Sequence, residues 1–268
     1  MPEPATAQTP DATRAHIQAR LSALEAEHGV RVLFAAESGS RAWGFASPDS
    51  DYDVRFVYAH STDWYVSLAA PRDVIEAPLD PMLVDLAGWD VRKALRLLLK
   101  SNAALYEWTR SPILYRDGPA RAAISTLFEA VASRHSLALH YTHTAQTNWK
   151  RCGDGREVKL KRYFYFMRPL LAREWALVHG TPPPMHMDHL LAAVPLPPTV
   201  QREFRDLIAA KTTTPELGCH PRRRALDAWI MDRLADQPVA IAEVPPPDAA
   251  ARADDLFRAL IGFAPAAR

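Results

Sequence analysis

Cysteine is scarce in this sequence, as are long apolar runs and any excess of charge of one sign. The 268 residues contain two cysteines, Cys152 and Cys219, which lie far apart and form no metal-type pair, so a reducing compartment is the simplest interpretation. No apolar run is long enough to span a bilayer. The formal net charge is +1. The chain therefore has no overall attraction to nucleic acid or to a membrane surface, and a nucleic-acid site must be a local basic face.

The beginning of the chain also lacks a targeting pattern. Residues Met1 to Pro10 are rich in proline, alanine and threonine and have no basic segment followed by an apolar one. We therefore expect a cytoplasmic protein with a disordered start over residues 1–10. The length is sufficient for one large domain or two small ones with a sizeable core.

One stretch, Gly39 to Arg55, lies between two apolar runs, and the rest of the chain is organised around it. The run from Val30 to Ala36 predicts a strand that is buried on both faces. The second run, Val54 to Tyr58, predicts a second strand over Tyr52 to Tyr58. Between the two strands we expect a turn, one short helical turn and a loop.

Two aspartates stand at the start of the second strand. Because side chains alternate along a strand, Asp51 and Asp53 point the same way. Two carboxylates on one face form an all-oxygen site suited to Mg²⁺. Upstream, Gly39 lets the backbone approach a ligand closely, and Ser40 is able to start a helix whose free N–H groups face a phosphate. A phosphate cradle and a metal-binding acid pair are the components of a nucleotidyl-transfer site.

The aspartates have two other interpretations. A calcium-binding loop that began at Asp49 would need Gly at its sixth position and Glu at its twelfth, but Val54 and His60 stand there, so it is excluded. A solvated acidic loop is the remaining alternative. It does not explain why the acids lead directly into an apolar strand.

The Gly-Ser and Asp-x-Asp motifs resemble those of the DNA-polymerase-beta nucleotidyltransferase superfamily. The wider pattern is similar to bacterial predicted nucleotidyltransferases of the RNA-repair-pathway group. This resemblance extends from about Val30 to about Ala176, and its motifs are Gly39-Ser40-Arg41-Ala42-Trp43-Gly44, Ser50-Asp51-Tyr52-Asp53, Gly88-Trp89-Asp90-Val91-Arg92-Lys93 and Lys161-x-Tyr163-x-Tyr165. It implies an α+β fold in which a small palm-like mixed sheet with helices is followed by an all-helical domain. We place the catalytic domain at residues 11–118 and the helical domain at 119–268, because the pattern becomes helical from Pro119.

The superfamily pattern requires a third carboxylate on a neighbouring strand. We predict that strand at Met82 to Leu86, which makes Asp85 the better match. Asp90 is the rival, but it stands at the start of a strong helix, where it also has a capping role. The resemblance then implies that Asp51, Asp53 and Asp85 bind two Mg²⁺ ions, with Mn²⁺ as the alternative ion.

The remaining nucleotide contacts are also implied by the resemblance. Gly39, Ser40, Arg41 and Ser50 would hold the nucleotide at the catalytic domain. A helix predicted over Glu157 to His179 carries Lys161 and Arg168 on one face, so that both could reach the triphosphate. The alternative for these two residues is a solvated charged face. The same holds for the run Arg222 to Arg224, which is a candidate contact for RNA.

The function implied is transfer of a nucleoside monophosphate from an NTP to an acceptor, with release of pyrophosphate. An RNA end is the favoured acceptor. Two other classes remain open: a non-catalytic protein that binds nucleotide or RNA, and a nucleotidyltransferase that partners a toxin and modifies a protein. The sequence leaves open which NTP is used and the oligomeric state.

Overall fold

The computed structural model describes residues 9–68, 72–152, 155–213, 218–236, 238 and 246–263. Most of the predicted disordered start, residues 1–8, lies outside the described residues. In chain order the elements are α1 (Asp11–His28), β1 (Arg31–Ser38), α2 (Gly39–Ala42), β2 (Tyr52–Ala59), α3 (Thr62–Tyr65), β3 (Val74–Ala77), β4 (Val84–Asp90), α4 (Val91–Leu98), α5 (Ala103–Arg110), β5 (Leu114–Arg116), α6 (Pro119–Val131), α7 (Arg134–Lys150), β6 (Glu157–Lys159), α8 (Arg162–His179), α9 (Met187–Ala193), α10 (Pro198–Thr213), β7 (Cys219–Pro221), α11 (Arg224–Ala235) and α12 (Ala249–Ile261). The predicted α+β fold is confirmed.

These elements fall into two compact units. The first contains α1 to α6, all five strands from β1 to β5, and α12; the second contains the loop Trp43–Ser50 together with α7 to α11 and the strands β6 and β7. The predicted domain boundary after residue 118 stays a prediction. By their contacts, α6 and the distant α12 group with the sheet.

The first unit is built on a mixed sheet with the strand order β3-β4-β2-β1-β5. The strands β2 and β4 run parallel, whereas the other neighbours are antiparallel. Strand β1 is buried over residues 32–37, as the apolar run predicted. Helix α1 packs Ile17, Leu21 and Leu24 into the core cluster with apolar residues of β2 and β4, and each such fully buried side chain contributes roughly 1.5–3 kcal/mol.

The turn that precedes β4 is fixed by Asp80. Its carboxylate accepts hydrogen bonds from the backbone N–H groups of Met82 (2.9 Å) and Val84 (3.0 Å). Two side chains of α1 also reach it, His16 at 2.6 Å and Arg20 at 2.8 Å. Burial by itself raises the pKa of Asp80, but these hydrogen bonds and the Arg20 charge outweigh burial and lower the pKa to about 2. The anionic form therefore holds the turn to α1.

Leu83 occupies an unusual backbone conformation in that turn. Its φ of 59° lies in the left-handed region, which costs a residue other than glycine about 1–2 kcal/mol. Its carbonyl accepts the N–H of Tyr52 at 2.7 Å, which ties the start of β4 to the start of β2. The prediction of this strand over residues 82–86 was therefore wrong at both ends: β4 begins after the turn and continues to Asp90.

The second unit is mainly helical and is centred on α8. Helix α7 packs along α8, whose buried side chains include Phe164, Phe166 and Leu170. The prediction that this helix begins at Glu157 was wrong, because residues 157–159 form β6 and pair with β7. That pairing joins segments about sixty residues apart, which local periodicity does not reveal. In the part of the chain described, no helix is long and apolar enough to cross a membrane.

The loop Trp43–Ser50 is anchored within this helical unit. Phe45 is buried and stacks on Phe164 with ring centroids 4.8 Å apart. The Trp43 carbonyl accepts the backbone N–H of Met187 at 2.9 Å. Gly44 has a φ of 84°, and a Cβ there would overlap the ring of His186. The loop therefore needs glycine at this position.

Candidate active site

Asp53 and Asp85 lie directly opposite each other on the parallel strands β2 and β4. Both side chains are half-exposed, whereas Tyr52 and Val54 on the other face of β2 are buried in the core. A single Arg55 nitrogen, Nη2, lies 3.0 Å from Asp53 Oδ1 and 2.8 Å from Asp85 Oδ2. The strand alternation thus places two carboxylates and a guanidinium on one face.

The electrostatics of this group favour a cation. Burial raises the pKa of Asp53, and the charges of Asp85 and Asp51 raise it further, against the lowering effect of Arg55 and Arg41. Asp51 is exposed and stands just before β2. Clustered carboxylates of this kind are stabilised by added positive charge.

The Gly-Ser motif lies against the same acids. Gly39 and Ser40 begin the short α2, which follows β1 without a gap. Gly39 has a φ of 64°, and a Cβ there would overlap Asp53 Oδ2 and lie 3.2 Å from its Cγ. Only glycine therefore permits this approach. Arg41 donates from Nε to the Asp51 carbonyl at 3.1 Å, and its guanidinium lies 3.9 Å from the centroid of the Tyr52 ring.

Asp90 is engaged elsewhere. It is buried, its Oδ1 accepts the backbone N–H of Arg92 at 2.8 Å, and its Oδ2 accepts the Tyr65 hydroxyl at 2.7 Å. It caps the N-terminus of α4. Asp85, in contrast, is in register with Asp53, so the sheet brings Asp85 beside Asp53. Its role as the third metal-binding carboxylate stays a prediction.

Glu37 is a residue of this region that sequence reasoning missed. It is fully buried on β1, accepts the backbone N–H of Asp53 at 2.8 Å, and accepts the Tyr115 hydroxyl. A signal was present in the sequence, because an acidic residue at the end of a buried apolar strand requires partners.

The other predicted nucleotide contacts, Ser50, Lys161 and Arg168, belong to the second unit. Ser50 Oγ accepts the backbone N–H of Ser47 at 2.9 Å. Lys161 precedes α8 and is exposed. Arg168 is buried, with its guanidinium 4.3 Å from the Trp43 ring centroid. Their role in binding a triphosphate stays a prediction.

The donor set at β2 and β4 suits a hard divalent cation. Carboxylate oxygens are the ligands that Mg²⁺ uses, and a bound cation would relieve the repulsion that Asp85 and Asp51 exert on Asp53. Among the described residues, however, no three His, Cys, Asp or Glu side chains stand grouped as a ready metal site. Arg55 would have to turn away from Asp53 and Asp85 for both to ligate one ion.

A mixed sheet that pairs an Asp-x-Asp strand with a third acid, next to a Gly-Ser turn, defines the polymerase-beta type of nucleotidyltransferase. The sequence model of the RNA repair pathway DNA polymerase beta family matches residues 13–259 of this chain. The chain belongs to this family. It is 42% identical over 211 residues to the uncharacterized protein YcgL of Bacillus subtilis (strain 168). That alignment covers 78% of this chain and 81% of the relative.

A crystal structure described as a nucleotidyltransferase-like protein from Exiguobacterium sibiricum 255-15 aligns with 92% of this chain and 78% of its own. The TM-score is 0.31 and the identity is 11%.

Proposed function

We propose that this protein transfers a nucleoside monophosphate from an NTP to the hydroxyl of an acceptor, with an RNA end as the favoured acceptor. The observation that carries the proposal is the in-register pair Asp53 and Asp85, with Gly39 against Asp53. Membership of a polymerase-beta family supports it, and the description of that family favours RNA.

In the proposed reaction the acceptor oxygen forms a bond to the α-phosphorus as the bond from that phosphorus to the bridging oxygen breaks. Pyrophosphate leaves, and the hydroxyl proton passes to water. Two Mg²⁺ ions, when bound, would lower the pKa of the acceptor hydroxyl and stabilise the charge on the leaving pyrophosphate.

The residues of the chain supply binding and orientation in this proposal. Asp51, Asp53 and Asp85 would hold the ions. Gly39 leaves room for Asp53 to stay in place, and the Gly39 and Ser40 backbone would hold the β- and γ-phosphates. Before ions bind, Arg55 neutralises part of the charge that the strands bring together, which lowers the cost of clustering the acids.

The test is incubation of the protein with each NTP, labelled at the α-phosphate, together with Mg²⁺ or Mn²⁺. RNA with a free end and a mixture of protein acceptors are offered in separate reactions. We expect label on RNA, and none with Asp53→Asn, which keeps the size of the side chain but loses its charge. Asp63→Asn, an exposed acid on α3, is the matched control and should keep full activity.

Each of the other two outcomes would indicate a different class of function. Nucleotide binding without transfer from any NTP would refute the enzyme and indicate a binding protein. Label on protein and none on RNA would refute the RNA acceptor and indicate a protein-modifying enzyme of the kind that partners toxins.

The RNA acceptor has a second, independent test in the salt dependence of binding. Within the predicted run, Arg222 is already bonded to the Gly155 carbonyl (2.9 Å) and to Asp227 (3.2 Å). Arg223 and Arg224 are therefore the better variants. If RNA crosses this helix start, Arg223→Ser with Arg224→Ser should flatten the slope of affinity against salt by about 1.4 units, at ~0.7 per phosphate contact. A slope that does not change would remove this site from the proposal.

A further inference from the structure

Glu37 makes two hydrogen bonds although it is an acidic residue inside the sheet. It has no exposed surface, and its two carboxylate oxygens accept the Asp53 backbone N–H at 2.8 Å and the Tyr115 hydroxyl. Keeping a carboxyl group here is therefore costly, and the cost requires a reason.

The position of the bond to Asp53 supplies that reason. Adjacent N–H groups of a strand point to opposite neighbours. At the start of β2, the Tyr52 N–H reaches the Leu83 carbonyl beside β4, at 2.7 Å. The Asp53 N–H reaches Glu37 of β1 on the other side. These two bonds hold the start of β2 from both sides, next to and at the residue that carries the central carboxylate.

We infer that Glu37, oriented by the Tyr115 hydroxyl, is a positioning residue that fixes the backbone of Asp53 and so sets the direction of the carboxylate that would hold the ions. The inference rests on the proposed nucleotidyl transfer. The three strands β5, β1 and β2 take part, since Tyr115, Glu37 and Asp53 come from one strand each. Such sites need their carboxylates held to a fraction of an ångström.

The test compares kcat and KM for Glu37→Ala, Glu37→Gln and the wild type. In Glu37→Ala the Asp53 N–H loses its acceptor, so kcat and kcat/KM should fall together by about 10², the effect of a misplacement of about 1 Å. Glu37→Gln retains an oxygen for the Asp53 N–H and an amide that is able to donate to Tyr115, and it should restore activity to near the wild-type value. An unchanged kcat in Glu37→Ala, or no rescue by Gln, would overturn the inference.

A second pair of variants covers the case in which Glu37→Ala does not fold. Tyr115→Phe removes only the hydroxyl and should lower kcat about tenfold, equivalent to 1.4 kcal/mol. Its matched control is Tyr106→Phe, which removes a similar bond, 3.0 Å from hydroxyl to Glu129 Oε1, between α5 and α6 of the same unit. Both should lower Tm by comparable amounts, and only Tyr115→Phe should lower kcat. Equal kcat values in the two would overturn the inference.

Hydrogen exchange of the Asp53 amide separates this inference from the proposed function. If the wild type transfers no nucleotide, the proposed function fails, but the bond is still judged by exchange. Loss of protection of the Asp53 amide in Glu37→Ala, with protection retained in Glu37→Gln, supports the inferred positioning of Asp53 by Glu37. Equal protection in all three proteins overturns it.

Discussion

Replacing Gly39 with Ala should separate damage to the site from damage to the fold. Gly39 has a φ of 64°, and an added Cβ would overlap Oδ2 of Asp53. Gly29, which follows α1, has a φ of 62° and nothing within 4 Å of such a Cβ. The variants Gly39→Ala and Gly29→Ala therefore share the same backbone cost, and only the first meets a carboxylate.

The expected magnitudes follow from these contacts. Placing Ala in the left-handed region costs about 1–2 kcal/mol in either variant. In Gly39→Ala the Asp53 carboxylate must also rotate away and give up its ion pair with Arg55 at 3.0 Å. Because that pair is partly exposed, its loss should add no more than about 1 kcal/mol. The carboxylate itself moves by about an ångström or more, which predicts a loss of about 10² in kcat.

Urea denaturation and initial rates of transfer are measured on both variants. We expect similar free energies of unfolding, within about 1 kcal/mol of each other, together with near-normal kcat in Gly29→Ala and a large loss in Gly39→Ala. Equal activities in the two variants would refute the reasoning that Gly39 exists to admit the Asp53 carboxylate.

Three further outcomes are expected. Asp85→Ala should abolish transfer with little change in Tm, whereas Asp90→Ala should lose the cap of α4 and about 0.5–2 kcal/mol in urea denaturation; the reverse pattern would move the third carboxylate to Asp90. Asp80→Asn should cost about 2 kcal/mol at pH 7, because the folded pKa of about 2 lies below the ordinary 3.8. That stabilisation is complete well above the ordinary pKa and is lost as the pH falls through the folded pKa, so about half of the difference from wild type should be gone at about pH 3; a difference independent of pH would contradict this. Leu83→Gly should raise the free energy of unfolding by about 1 kcal/mol, by relief of left-handed strain; a loss of stability would show that the Leu83 side chain contributes packing that outweighs the strain.

Residues close together in sequence were the predictable part of the site. The strand that follows Asp51 was predicted, because side-chain alternation is a local rule. For Gly39 the sequence predicted a close approach to a ligand, which stays a prediction, whereas the close neighbour in the structure is the Asp53 carboxylate. The preference for Asp85 over Asp90 followed from expecting a neighbouring strand, even though the predicted ends of that strand were wrong. Glu37 was missed because its partners, the Asp53 N–H and the Tyr115 hydroxyl, are brought to it only by strand pairing.

The long-range groupings were beyond sequence reasoning for the same reason. The pairing of β6 with β7 joins Val158 to His220, and no periodic pattern marks either segment. Helix α12 was recognised as a helix, but its association with the sheet was not predicted. Its end receives hydrogen bonds from Arg31 at 2.8 Å and from Thr62 at 3.2 Å, contacts that span about two hundred residues.

The anchoring of the loop Trp43–Ser50 has a consequence for modularity. The chain leaves the sheet unit after Ala42 and returns to it at Asp51, so the two halves of the nucleotidyltransferase motif are separated by a segment whose Phe45 is buried on Phe164 of α8. We therefore expect that the sheet unit cannot be transferred to another protein by itself. A chimera that exchanges the helical unit between relatives must carry residues 43–50 with it, and a fragment that ends before α7 would release Phe45 into water between the Gly39-Ser40 turn and the aspartates of β2.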